Sequence, residues 1–236
     1  MRSRIGGLPR VPATFQWPHS ETRPLDFLLQ IELSEIARYD TGLDLPNTGS
    51  LLFFYDTEDQ HWGFDPAHRS RSRVVFVEAL AAADVAQMTA APPRSRTFSQ
   101  AALKFEPIMT LPDRYSVWVE NEGLSEEQLD ELADGYDESH DIGQIGGHPA
   151  VIQNAMELEC ELASGGTYVG DPEGYRSPAA RVAAGEVRNW RLLLQLPSIE
   201  DQDMLWGDDG RLYFWIKKPA LAARRFEECW LILQCF

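Results

Sequence analysis

The chain is short of cysteine, of cations and of long apolar stretches, and each shortage closes off a class of function. Three cysteines, Cys160, Cys229 and Cys235, occur in 236 residues. An odd number without C-x-x-C spacing builds neither a disulfide framework nor a zinc site, so all three are expected to be reduced, buried small hydrophobes. Lys and Arg number 21 against 37 Asp and Glu, a formal net charge of -16. A phosphate-binding surface needs clustered cations, which excludes nucleic acid as a partner and admits a basic protein. The longest apolar runs, Leu192 to Leu196 and Trp230 to Leu233, fall far short of the roughly 20 residues that a membrane helix needs. Met1-Arg2-Ser3-Arg4 also leads into Gly-Gly-Leu-Pro rather than an apolar signal region. A soluble cytoplasmic protein, away from the membrane, is expected.

Signatures of catalysis are missing too. No G-x-G-x-x-G and no P-loop lysine accompanies the glycine pairs, no G-x-S-x-G elbow occurs, and no cysteine has nucleophile flanks. His61 and His68, or His140 and His148, have neither H-x-x-x-H spacing nor a cysteine companion. Asp56, Glu58 and Asp59, like Asp208 and Asp209, fall at the ends of expected hairpins. Turn chemistry explains them more simply than calcium or acid/base work does. No catalytic, metal or cofactor-binding residue is assigned, and no cofactor is expected.

What is present is a repeated string. Ile5-Gly6-Gly7-Leu8-Pro9-Arg10-Val11 returns as Ile145-Gly146-Gly147-His148-Pro149-Ala150-Val151. At background usage of roughly 7% Gly and 5% Pro, a G-G-x-P string should occur well under once in such a chain. Matching landmarks follow each copy: Phe27-Leu28-Leu29-Gln30-Ile31 then Gly49-Ser50-Leu51-Leu52-Phe53-Phe54, and Leu192-Leu193-Leu194-Gln195-Leu196 then Gly210-Arg211-Leu212-Tyr213-Phe214-Trp215. The pattern predicts two related halves, 1–119 and 120–236, in one globular unit. From Gly7 to Gln30 is 23 residues, whereas from Gly147 to Gln195 is 48. The second copy therefore carries an insertion, which falls in the Gly- and Pro-rich stretch 163–188 and reads as a mobile excursion.

Between these landmarks, periodicity supplies the elements. Pro24 to Leu33, Ser50 to Asp56, Val74 to Glu78, Asn189 to Leu196, Leu212 to Ile216 and Cys229 to Phe236 read as strands. The alternation Met156-Glu157-Leu158-Glu159-Cys160-Glu161-Leu162 reads as a half-exposed strand. Ala79 to Ala91 is open between helix and loop, Tyr115 to Val119 between strand and helix lead-in, and Phe105 to Pro112 is irregular or an edge strand. Trp206-Gly207-Asp208-Asp209-Gly210-Arg211 is a hairpin signal, and Ala220 to Glu228 allows a short helix. Ser125-Glu126-Glu127-Gln128 fits a capping box, followed by an apolar face of Leu129, Leu132, Ala133 and Tyr136. The class predicted is α+β: mostly antiparallel sheets from two related, intertwined repeats, with a few short helices.

Two further features bear on function. Ten acids and no Lys or Arg lie between Glu120 and Asp141, so most of the net charge is concentrated in one segment. Glu126, Glu127, Asp130, Glu131, Asp134, Asp137 and Glu138 make it a candidate surface for a basic partner. Gln30 and Gln195 each sit inside an apolar strand, where an unpaired amide costs about 1–3 kcal/mol. Each is expected to hydrogen-bond its nearby glycine loop.

The strings Gly6-Gly7-Leu8-Pro9, Phe15-Gln16-Trp17-Pro18, Pro24 to Leu33, Leu45-Pro46 and Gly49 to Asp56, with Gly147-His148-Pro149-Ala150-Val151-Ile152-Gln153, together resemble the YwqG-like family, a bacterial family of unknown function. Family members usually carry a helical segment ahead of the first string, so this chain is expected to lack or shorten it. A bulkier aromatic is common where Gly147-His148 stands here. The resemblance implies an α+β fold of two intertwined repeats without an established activity, and some relatives look like immunity proteins against secreted toxins. Two readings follow. One is an interaction or toxin-immunity module that binds a basic protein through its acidic surface. The other is a small-ligand-binding module or enzyme with a cleft between the repeats lined by Trp17, Gln30, His148 and Gln153. In both, Gly6, Gly7, Pro9, Gly146, Gly147, Pro149 and Gln195 are structural.

Overall fold

Short apolar runs become strands in this chain because each finds a register that buries both of its faces. The fold is that of a computed structural model describing residues 2–79, 81, 84–114, 116–119, 122–134 and 143–236. In chain order the elements are β1 (Arg4–Ile5), β2 (Arg10–Pro12), β3 (Asp26–Glu32), α1 (Leu33–Ile36), β4 (Ser50–Tyr55), β5 (Ser72–Val77), β6 (Val85–Gln87) and β7 (Ala101–Ala102). There follow α2 (Glu126–Asp134), α3 (Glu157–Ser164), α4 (Pro172–Arg176), α5 (Pro178–Ala183), β8 (Trp190–Pro197), β9 (Arg211–Lys217), α6 (Lys218–Ala222) and β10 (Trp230–Gln234). The strands form an antiparallel sheet in the order β5-β4-β3-β1-β7, a second in the order β10-β9-β8, and a ribbon of β2 with β6. This is the α+β class expected from the sequence.

The two larger sheets share one core. Leu29 and Ile31 of β3 and Leu51 and Phe53 of β4 pack with Leu194 and Leu196 of β8 and Leu212 and Phe214 of β9. Phe53 and Phe214 meet edge to face with ring centres 5.1 Å apart, and burying each ring stabilises the fold by about 1.5–3 kcal/mol. The two-residue period of a strand sends the alternate side chains outward. On the first sheet, Phe27, Leu52 and Phe54 are covered by Val11 and Trp17. On the second, Trp190, Leu192, Tyr213 and Trp215 are covered by Met156 and Cys160 of α3 and by Ala180 and Ala183 of α5.

Several details occur twice in the chain, once beside each glycine pair. Pairing with β4 shifts register between Phe27 and Leu29, and pairing with β9 shifts between Leu192 and Leu194. Arg4 pairs with Gln30, and Gln144 bridges to Gln195. Two residues beyond each pairing, consecutive glycines take the left-handed conformation, Gly6 and Gly7 at φ 63° and 66°, Gly146 and Gly147 at 69° and 70°. A Cβ on Gly6 would collide with the Ser99 carbonyl, and one on Gly146 with the Thr41 carbonyl, so glycine is required by both conformation and space. Gln30 Oε1 accepts the Arg10 N–H at 2.8 Å, and Gln195 Oε1 accepts the Ala150 N–H at 2.8 Å. The intra-strand amides thus anchor the segment that follows each glycine pair. Chain from the first half also packs on the second: Thr41 against Gly146, and Gly63, whose carbonyl accepts the Trp230 indole N–H at 2.8 Å.

The structure departs from sequence expectation at three places. Met156 to Leu162 is not a strand, because Glu157–Ser164 is helix α3. Its Glu, Leu, Met and Ala are helix formers without β-branched residues, and Met156, Cys160 and Ala163 fall on one buried helical face. The stretch 163–188 is not a structureless excursion. It holds α4 and α5, each opened by Pro at the first position behind a capping side chain: Asp171 accepts from the Glu173 and Gly174 N–H groups and Ser177 from the Ala180 N–H. Within Ala79 to Ala91, β6 is a strand because Arg10, Val11 and Pro12 offer it an edge. The expected capping box does open α2: Ser125 N–H donates to Gln128 Oε1 at 2.9 Å, and Gln128 N–H to Ser125 Oγ at 3.3 Å. Tyr136 lies outside the described residues. All three cysteines are free and buried. No helix among the described residues is long and apolar enough to cross a membrane.

Candidate functional site

The outer faces of the two sheets are finished differently, and a cavity results. In the first half Leu8, Phe15 and Trp17 pack on the outward side chains, with the Trp17 and Phe54 rings 5.3 Å apart. In the second half the equivalent positions hold His148 in the glycine loop and Trp215 in β9, and α3 covers only part of the surface. A cavity of about 270 Å³ remains, lined by Trp190, Arg191 and Leu192 of β8, Trp215 of β9, Gly147, His148 and Pro149, Glu157 at the start of α3, and Gly42, Leu43 and Trp118.

Three polar side chains, those of Glu157, Arg191 and His148, reach this aromatic-walled space. Glu157 is 3% exposed. Loss of hydration raises its carboxyl from an ordinary 4.5 to about 7. Repulsion from Glu159 adds to that rise, while the Glu157 and Met156 backbone N–H groups and the Arg191 charge oppose it. Arg191 lays its guanidinium over the Trp118 ring at 4.6 Å. Its Nη1 donates to the carbonyls of Trp190 at 2.6 Å and Arg188 at 2.8 Å. Those two bonds orient the fork and leave the Nε and Nη2 edge without an acceptor among the described residues. The His148 ring meets Trp118 edge to face, centres 6.4 Å apart. Its pKa is lowered by burial and then by Arg191, which makes it a neutral imidazole at neutral pH. In the wall itself, closed to the cavity, the Trp215 indole N–H has no acceptor among the described residues, whereas that of Trp190 donates to Glu161 Oε2 at 2.8 Å and Glu161 pairs with Lys217 at 2.7 Å. A buried donor left unpaired costs about 1–3 kcal/mol. Among the described residues, no Ser, Thr or Cys lines the cavity.

Of the four residues proposed from sequence for a shared cleft, only His148 lines this cavity. Trp17 is buried in the first half, its indole N–H donating to the Leu25 carbonyl at 2.8 Å. Gln30 is spent on Arg10 and Glu32. Gln153 is exposed and donates to the Cys235 carbonyl at 2.9 Å. Between the two sheets lies a separate space of about 540 Å³ bordered by Ile5, Leu29, Ile31, Leu194 and Leu196. Its walls combine these aliphatic residues with Tyr39, Asp40, Thr41, Phe105 and Gln144, and Lys104 at its rim is paired with Glu106. Of the acidic set, Glu126, Glu127, Asp130 and Glu131 are exposed along α2, and Arg114 reaches Glu126 and Asp130 at 3.5 Å each. Asp134 ends α2, while Asp137 and Glu138 lie outside the described residues.

Asp56, Asp59 and His61 bring three potential metal donors within 4.8 Å of one another. The Asp56 carboxylate is already clamped, however, with Oδ1 bonded to Arg23 and Oδ2 to Arg71, each at 3.0 Å. A cation there would face two guanidinium groups, so ion pairing accounts for the cluster. Pro9 precedes β2, and Pro149 lies at the cavity wall beside Gly147.

Glu157, Arg191, Trp118, Trp190 and Trp215 were not found by sequence reading. Glu157 was hidden by mistaking helical spacing for strand alternation, and Arg191 by its place in a strand whose other residues are core. The usable signal was the exchange of Leu8 for His148 between the two strings, together with tryptophan at three of the positions around it.

A family model described as a domain of unknown function, DUF1963, matches residues 3–235, and the chain belongs to that family. No curated protein matches it.

Proposed function

Starting from membership in a family without an assigned activity, we propose that this protein is a small-ligand-binding module whose site is the cavity between His148, Arg191, Glu157 and Trp215. The observation that carries the reading is the convergence of hydrogen-bonding groups without acceptors among the described residues on one aromatic-walled space: the outer edge of Arg191 and the His148 ring, beside the buried Glu157 carboxyl. Sites for small molecules combine apolar walls with a few convergent polar groups and often hold a carboxyl of perturbed pKa. At about 270 Å³ the space is below the roughly 300–1,000 Å³ of drug-sized sites, so the ligand is a compact one. The two halves read as copies of one unit, 1–119 and 120–236, with 163–188 inserted in the second. The shared bulge, glycine pair and anchoring glutamine support that reading. The test is an NMR screen of small planar compounds that follows the Trp215 indole N–H signal, assigned by its loss in Trp215→Phe. Movement of that signal by a saturable ligand is expected, and a screen that perturbs only distant resonances counts against the site.

A second reading is favoured by charge. The exposed Glu126, Glu127, Asp130 and Glu131 of α2 form a face suited to docking a basic protein, as a toxin-immunity role in the cytoplasm would require. Pull-down with such a partner before and after charge reversal at Glu127, Asp130, Glu131 and Asp134 tests it, and a complex insensitive to reversal removes the surface.

A further inference from the structure

The chemistry of the cavity narrows the class of ligand, an inference that rests on the binding role proposed above. The polar groups around it are dominated by donors. Arg191 offers the Nε and Nη2 edge of a guanidinium already aimed by two backbone carbonyls. His148, neutral, has one ring N–H to give and no partner for its ring among the described residues. Glu157, buried and held largely protonated up to about neutral pH, adds an O–H. A site of this composition is complemented by an acceptor, and an oxyanion is the strongest acceptor for a planar guanidinium fork.

A cationic ligand fits poorly, although three tryptophans surround the space. Two of the three rings already carry a cation of the protein itself: Arg191 at 4.6 Å and Arg188 at 5.7 Å on Trp118, and Lys217 at 5.4 Å on Trp190. A dianion fits poorly as well. One guanidinium faces the cavity, the chain as a whole carries -16, and Glu157 would be forced further toward its protonated form. Tryptophan walls favour a flat partner. The geometry points to a compact planar monocarboxylate as the ligand, its carboxylate on the free edge of Arg191 and its ring among Trp118, Trp190 and Trp215.

Benzoate, benzamide and benzylamine, nearly isosteric and differing in charge, separate the possibilities. Titrated into the full chain at pH 6 and followed by the Trp215 indole signal, benzoate is expected to bind about tenfold or more tighter than benzamide, the ratio that a charge-assisted hydrogen bond supplies. Arg191→Met should erase that preference, with the circular dichroism and unliganded indole spectrum of the variant reporting that it is folded. Should Arg191→Met fail to fold, Arg191→Gln, which keeps a hydrogen-bonding group and loses the charge, should bring the benzoate-to-benzamide ratio to about one. Equal binding of benzoate and benzamide, tighter binding of benzylamine, or a preference that survives Arg191→Met overturns the carboxylate assignment and leaves the binding module standing. If none of the three compounds moves the signal while other compact planar compounds do, the carboxylate assignment falls alone. If nothing moves it, both fall.

Discussion

Replacing Glu157 with Gln isolates the energetic cost of the candidate site. In the folded protein the carboxyl titrates at about 7, pushed up chiefly by burial, against an ordinary 4.5. Between those values the native state holds a proton that the unfolded chain has released. Stability therefore decreases as pH rises from about 4.5 through about 7 and then levels off. Each pKa unit corresponds to about 1.36 kcal/mol, so the ionised carboxylate destabilises the native protein by up to about 3 kcal/mol above pH 8. Gln keeps the shape and cannot ionise. The difference in unfolding free energy between Glu157→Gln and the native chain, from urea titrations at pH 5, 6, 7 and 8.5, should be smallest at pH 5 and grow in favour of the variant by up to about 3 kcal/mol at pH 8.5. For a chain of this size that is roughly 6–12 °C in melting temperature. Taking the difference removes first-order contributions from Glu159 and His148, which the variant retains. A difference that is constant across this range would falsify the assignment of a buried, uncompensated carboxyl to the cavity.

Other perturbations test the frame that holds the site. Gly146→Ala combines a left-handed backbone with collision against Thr41 and should cost about 2–5 kcal/mol. Gly123→Ala, equally left-handed but with nothing nearby, should cost about 1–2 kcal/mol; equal costs in denaturant titration would refute the steric part. Asp56→Ala leaves the buried Arg23 without one of its counterions and should lose about 3–5 kcal/mol, whereas Glu58→Gln, at an exposed partner of the same arginine, should change stability by less than about 1 kcal/mol. The thiols of Cys160, Cys229 and Cys235 are buried, and burial raises the Cys160 and Cys229 pKa values. A thiol-reactive dye should therefore label none of them in the native protein and all three in denaturant. Fast native labelling would show that this packing is wrong.

The resemblances between the two halves were legible because they rest on local requirements. A pair of left-handed glycines, a capping box at Ser125 and short apolar runs with a buried amide are each specified by a few neighbouring residues. Where the sequence misled, the deciding contact was distant. Residues 157–164 alternate as a strand would, yet they lie as a helix because the outer face of β8 and β9 needs an apolar cover that a helical Met156, Cys160 and Ala163 provide. The capping signals of Asp171 and Ser177 are local, but the Gly- and Pro-rich composition around them reads as a mobile excursion until the packing of α5 against α3 is seen.

By itself, then, the sequence determined the α+β class, the longer strands of both sheets, the paired glycine turns and the concentration of negative charge, since those follow from periodicity, conformational freedom and composition; the two-residue strands β1 and β7 are set only by the edges they pair with. Tertiary structure alone decided where a site could form. Trp118, His148, Glu157, Arg191 and Trp215 are separated along the chain and carry no motif between them. They meet because two sheets pack face to face, one outer surface is filled by Trp17 and Leu8, and the other is left partly open beneath α3. The burial that this packing imposes also gives Glu157 its raised pKa, a property that no reading of its sequence neighbours contains.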